Sequence, residues 1–183
     1  MQTHISAAST VSPHAQPSAA RVPWFSLSLS VVALVAVAAV AGFFYAYSSS
    51  VMVGLNASTP EVALKAMQGI NAEVRNPIFA LSFFGSAILL PAATALLVVQ
   101  GSRKAALPLG AASAVYILGG FMLTMVINVP MNEALAVVDV DALPDPAAAW
   151  ADYAEPWTFW NHVRTVLSLS AVALAGLGIW RLR

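Results

Sequence analysis

The sequence predicts an all-α protein: a four-helix transmembrane bundle with a disordered N-terminal tail and a short helix in the first outer loop. Three observations carry that prediction. Of 183 residues, 60% are hydrophobic and 9% charged, against roughly 25% charged in an average soluble domain. The mean hydropathy is +0.79. Four apolar runs, at about residues 24–53, 77–99, 105–128 and 159–182, are each long enough to cross a hydrocarbon core of about 30 Å. The chain thus divides into a tail, 1–22, and a membrane domain, 23–183.

Composition also excludes functions. Eight Lys plus Arg balance eight Asp plus Glu, so no basic field argues for a nucleic-acid partner. With no cysteine, there is no structural disulfide, thiolate metal site, iron–sulfur cluster or cysteine nucleophile.

The tail, Met1 to about Val22, is rich in Ser, Ala, Pro and Gln, with His4 and His14 isolated in it. It holds too little apolar surface to offset the entropy of ordering. Arg21 before an apolar run, and the small residues Ala36-Val37-Ala38-Ala39, also fit a signal peptide. The run from Trp24 to about Val53 exceeds the roughly 7–15 residues of a signal core, so an anchor is expected. The second run starts after Asn76-Pro77 and contains Pro91, where a kink is expected. The short turn Gly101-Ser102-Arg103-Lys104 makes the second and third runs an antiparallel hairpin.

Between the first two runs, Thr59-Pro60-Glu61 reads as a helix start, and Val62, Met67, Ile70 and Val74 recur near helical spacing. A short helix is expected over about residues 60–75. In the second outer loop, Leu143-Pro144-Asp145-Pro146 is turn-like before helical character resumes over Ala147–Tyr153.

Orientation follows from cations in the short flanks. Arg21, Arg103, Lys104, Arg181 and Arg183 share one side, whereas the opposite loops hold Lys65 and Arg75 among all eight acidic residues. The expectation is a multi-pass protein of the cell membrane, with the lipid bilayer as its first partner and both termini cytoplasmic. The sequence leaves the oligomeric state unread.

Polar groups inside apolar spans are costly, so each is a functional candidate. Asn128 and Asn132 flank Val129-Pro130-Met131; at a spacing of four, both amides project from one helix face if the helix continues through the proline. They are suited to binding a ligand's oxygen atoms, or to capping backbone groups that Pro130 frees. Trp157, Asn161 and Arg164 share a helix face, with Trp160 one turn before Arg164. Two tryptophans are ordinary at a membrane interface. Arg164 is not, because it lies inside an apolar run and needs a partner: Glu133, Asp152, Glu155 or an asparagine carbonyl.

His162 is the one histidine outside the tail, and its imidazole suits a general base, an axial ligand or a structural hydrogen bond. No HxxH, HxxxH or ExxH spacing occurs, so no protein-only metal site is expected. Asn71 and Arg75 are i, i+4 partners before Asn76, and Tyr45, Tyr47 and Ser48–Ser50 make the outer third of the first helix polar. All four helices turn polar at one membrane face, the pattern of a pocket opening there.

Three of these stretches together resemble the anthrone oxygenase-like membrane family. They are Ala66-Met67-Gln68-Gly69-Ile70-Asn71 running into Asn76-Pro77, the Asn128-Val129-Pro130-Met131-Asn132 box, and Trp157 with Trp160-Asn161-His162-Val163-Arg164-Thr165. The resemblance covers about residues 27–182. It implies a four-helix membrane protein, some of whose fungal relatives oxidise polycyclic anthrones to anthraquinones with molecular oxygen. A lipophilic aromatic small molecule is then the implied ligand. Carried onto this chain, His162 is the implied base, and Arg164, Asn128 and Asn132 hold the developing oxyanion. Asn71 and Asn161 contact ligand, and Trp157, Trp160, Phe43 and Phe44 form an aromatic wall. An anthrone anion itself reduces oxygen, so no cofactor is expected, in keeping with the lack of a flavin or nicotinamide fingerprint.

Other readings stay open. A non-catalytic ligand binder or partner subunit needs the same polar face, and a haem on His162 needs only one axial ligand. A transporter is disfavoured, because the polar residues lie at one interface rather than at the midplane. A visible spectrum of purified protein separates haem from the rest.

Overall fold

The computed structural model describes residues 24–182; the expected tail, with His4, His14 and Arg21, and the terminal Arg183 lie outside them. Five helices follow one another: α1 (Trp24–Asn56), α2 (Pro60–Glu73), α3 (Pro77–Val99), α4 (Arg103–Ala136) and α5 (Pro146–Trp180). A 3-10 turn at Val140–Ala142 separates α4 from α5, and no strand occurs among the described residues. α1, α3, α4 and α5 are long and apolar enough to cross a membrane, which makes this a multi-pass membrane protein. α2 is the short helix that the Thr59-Pro60-Glu61 start predicts.

Local chemistry sets the ends. Pro60, Pro77 and Pro146 each stand in the first turn of a helix, where a missing N–H costs nothing. Asn76 caps α3 by accepting from the N–H groups of Ile78 (3.0 Å) and Phe79 (3.1 Å), and Asp145 caps α5 by accepting from Ala148 at 2.9 Å. Gly101, at φ 74°, makes the tight α3–α4 turn in a conformation that favours glycine.

The ends of the bundle are tied separately. Ser26 Oγ donates to Gln100 Oε1 at 2.7 Å and Arg181 Nη1 reaches Lys104 O at 3.5 Å. The start of α1, the α3–α4 turn and the end of α5 therefore share one end. At the other, α2 is clamped onto the α4–α5 connection by a Lys65–Asp141 ion pair. Gln68 Nε2 adds hydrogen bonds to Leu135 O (2.9 Å) and Val138 O (2.8 Å).

Near the turn end, Ala33, Val37, Ala93, Leu97, Ala105, Leu109, Ala171 and Ala175 are buried together. Lipid gives no hydrophobic reward for helix association, so small residues that admit close van der Waals packing hold such a core. A Cβ added to Gly178 would meet Ala105 O at 3.1 Å. The outer faces carry Val35, Leu81, Ile88, Val99, Leu118 and Val126, apolar because their solvent is the bilayer.

The structure differs from expectation at two element boundaries. The fourth helix begins at Pro146 rather than near Phe159, and passes through Pro156. The residue whose carbonyl that proline releases, Asp152, is exposed, so water can satisfy it. The third helix likewise continues past Asn128, through Pro130, to Ala136. It does so behind π-helical turns at Tyr116–Met122 and Thr124–Asn128, a local widening by which a helix absorbs a proline.

Candidate functional site

At the α2 end the spanning helices enclose a cavity of about 380 Å³, within the roughly 300–1,000 Å³ typical of small-molecule pockets. Its walls are aromatic: Phe43, Phe44 and Tyr47 from α1, Phe79, Phe83 and Phe84 from α3, and Trp157 from α5. Phe79 stacks on Phe83 at 5.3 Å with an 18° tilt, and Tyr47 packs on Trp157 at 5.3 Å. Such surfaces favour a flat ring system.

Arg164 enters this apolar space from α5 and is only 3% exposed. Its Nη2 donates to Asn161 Oδ1 at 2.9 Å and its Nη1 to Thr124 Oγ1 at 3.2 Å. The guanidinium lies 4.4 Å from the Phe44 ring centre and 5.2 Å from that of Trp157, in cation–π contact. Nε has no partner. Of the partners expected for this cation, the asparagine carbonyl is realised. Glu133 pairs instead with Arg75 at 3.3 Å, and among the described residues no carboxylate bridges to Arg164. A buried cation held only by neutral groups leaves room for a ligand's negative charge.

A second polar chain lines the wall. Tyr153 OH donates to Asn132 Oδ1 at 2.9 Å and accepts from Asn71 Nδ2 at 3.1 Å. Trp157 Nε1 donates to the same Asn132 oxygen at 2.8 Å. Asn128 is buried behind this wall, its Nδ2 on Trp157 O at 3.5 Å and its Oδ1 unpartnered. The Asn128–Asn132 box and the Arg164 face therefore meet across Trp157. Asn71, Asn132, Trp157, Arg164, Phe43 and Phe44 line the cavity. Asn161 lies behind Arg164, its Nδ2 donating to Phe44 O (2.9 Å) and Ser48 Oγ (2.8 Å).

Two candidates lie elsewhere and correct the expectation. His162 is exposed, off the cavity, with Nδ1 2.9 Å from Ser48 Oγ. The reason is helical phase: two residues from Arg164, it points to a nearly opposite face of α5. Trp160 is likewise not a lining residue and packs edge-on against Phe159 at 5.2 Å. A haem in this cavity would find no histidine among the lining residues. Among the described residues, no three His, Asp or Glu side chains come together.

Sequence reasoning missed Tyr153 and Thr124. Tyr153 continues the Trp157, Asn161, Arg164 stripe one turn earlier, a signal hidden when the helix is started at Phe159. Thr124 carried no signal beyond being polar in an apolar run.

The sequence model of the anthrone oxygenase family matches residues 78–174, more than half of the chain. The match runs from the start of α3 into the last turns of α5, and so includes Asn132, Trp157 and Arg164 but not the α1 and α2 walls. No curated protein and no solved structure matches the chain. With a match over more than half of its length, including Asn132, Trp157 and Arg164 of the cavity, the chain belongs to the anthrone oxygenase family.

Proposed function

We propose that the protein binds a flat, lipophilic anthrone-type aromatic in this cavity and promotes its oxidation by molecular oxygen. The observation that carries the reading is Arg164, a buried cation without a carboxylate partner, set among aromatic rings. An anthrone carries its carbonyl and its acidic methylene on opposite sides of the central ring. With the carbonyl oxygen on Arg164, loss of a methylene proton leaves an enolate whose charge the guanidinium holds. The proton acceptor is Glu133, the one carboxylate that lines the cavity, or the substrate's own phenolate where it has one.

The enolate then gives one electron to oxygen, and the carbon radical and superoxide combine into a peroxide anion at the former methylene, which takes the proton back from its acceptor to become a hydroperoxide. Loss of water from that C–H and C–OOH gives the quinone, so one anthrone and one oxygen yield one anthraquinone and one water. Asn132 and Asn71 orient the ligand through the Tyr153 and Trp157 contacts. The test is oxygen uptake by the protein in liposomes with added anthrone. Turnover above the spontaneous rate, one oxygen per anthrone, supports the reading, and a rate equal to protein-free liposomes removes it.

A binding-only role is the second reading, favoured by the Arg75–Glu133 ion pair, which occupies the cavity's carboxylate. Tight anthrone binding without turnover selects it. In the membrane, we propose that the end carrying Arg103, Lys104 and Arg181 faces the cytoplasm. Single cysteines at Ser102 and Ala142 should then label from opposite sides of intact cells; labelling from one side refutes that orientation.

A further inference from the structure

We propose that the cavity is loaded sideways from the bilayer, through a window between α3 and α4. This rests on the reading of the cavity as an aromatic-ligand site, not on catalysis, and it makes the ligand a molecule dissolved in the membrane.

The window arises from how α4 is held. The α3 backbone runs close to α4 over Arg103–Met122 and stands off from Thr124–Ala136. A Cβ on Gly119 would lie 2.7 Å from Leu167 Cβ, and one on Gly120 would lie 3.2 Å from Ser168 Oγ. These glycines let α4 lie hard against α5. The last ties across the gap are Tyr116 OH donating to Phe83 O at 2.7 Å, and Phe121 packed on Phe83 and Phe84 at 5.2 and 5.7 Å. They form the sill. At the other end the Arg75–Glu133 pair forms the lintel.

Between sill and lintel, Ala80 and Phe84 of α3 face Met125 and Val129 of α4, all four lining the cavity. Phe84 is 47% exposed and Met125 40%, on the same apolar surface as Leu81, Ile88 and Val126. Ala80, Phe84 and Met125 fall within the apolar runs 77–99 and 105–128, and the four residues on either side of the gap are all apolar. On the α1 side, by contrast, the rings of Phe43, Tyr47 and Phe79 close the wall at 4.9 and 4.7 Å. At the lintel the exposed Arg75 and Glu133 side chains keep the mouth charged and hydrated, a poor path for a lipophilic ring that already partitions into the bilayer.

The absence of native cysteine makes the window lockable. In proteoliposomes, Phe84→Cys/Met125→Cys is joined by a reducible bis-maleimide, and Arg75→Cys/Glu133→Cys is joined likewise across the lintel. The probe is a brominated anthracene dissolved in the lipid. Its short-range quenching of Trp157 is read as the difference from the same protein carrying Trp157→Phe. Locking the window should abolish that difference and reduction should restore it, whereas the Arg75→Cys/Glu133→Cys protein should show the same difference before and after its own cross-link is made. If Phe84→Cys/Met125→Cys does not fold, Ala80→Cys/Val129→Cys closes the same gap. Quenching that survives a locked window, or is lost only on locking the lintel, overturns the proposal. So does a lack of Trp157 quenching in the unlocked protein, which removes the cavity reading with it. Quenching without anthrone turnover sinks catalysis alone and leaves the window standing.

Discussion

The two ends of the bundle solve the same problem, a chain without water, by opposite means. Near the α3–α4 turn, alanines, leucines and Gly178 bring backbones together, and polar ties between helices are few, Ser26 to Gln100 and Arg181 to Lys104 O. Near α2 the helices are held apart by large rings, and side chains span the space between them: Asn161 to Phe44 O, Tyr153 to Asn132, Arg164 to Thr124. Close packing leaves no volume for a ligand. The α2 end keeps about 380 Å³ open, and it stays open because directional contacts brace α1, α4 and α5 against one another.

The sharpest way to break this comparison is to remove the cation. Arg164→Leu should retain the fold, because no buried carboxylate is stranded by its loss, yet it should lower anthrone turnover by about 10²–10³-fold. Oxygen uptake against circular dichroism in the same sample checks both halves. Unfolding would make Arg164 a structural brace rather than a ligand contact.

Next in size is Asn132→Leu, which leaves the buried Tyr153 hydroxyl and Trp157 indole N–H without their shared acceptor. Each such loss costs about 1–3 kcal/mol, so the variant should unfold at a lower denaturant fraction and bind ligand poorly. Gly119→Ala sharpens the contrast from the packed side. Its Cβ would lie inside Leu167, and overpacking of this kind costs about 1–3 kcal/mol, read as a lower midpoint in a detergent unfolding titration. The smallest effect is expected at His162→Gln, which keeps a hydrogen-bonding group near Ser48. Stability should move by less than about 0.5 kcal/mol, with turnover unchanged. A large loss of turnover would return His162 to the role of base.

Much of this was legible in residue order. Apolar run lengths predict four spans, Thr59-Pro60-Glu61 predicts α2, and Asn76-Pro77 marks the start of α3 because an asparagine cap before a proline is a helix-start pattern. The shared face of Trp157, Asn161 and Arg164 follows from helical spacing alone. The same spacing places His162 off that face, so its chemistry as an imidazole argued for the site while its position argued against it. The starts and stops around Pro130 and Pro156 were not legible, since a proline ends one helix and is absorbed in another according to what surrounds the released carbonyl.

By itself, then, the sequence determined that this is a four-span membrane protein with its polar residues at one end, because run length and the cost of polar groups in lipid are properties of residue order. Which polar residues face one another was decided only by the tertiary structure. Arg164 could have met Glu133, Asp152 or Glu155 as readily in sequence. It meets Asn161, Thr124 and the Phe44 ring because α1, α4 and α5 converge there, while Arg75 takes Glu133 at the mouth. Pairing in three dimensions depends on the rotation and separation of whole helices, and those are set by distant contacts such as Gly119 against Leu167, which no local pattern encodes.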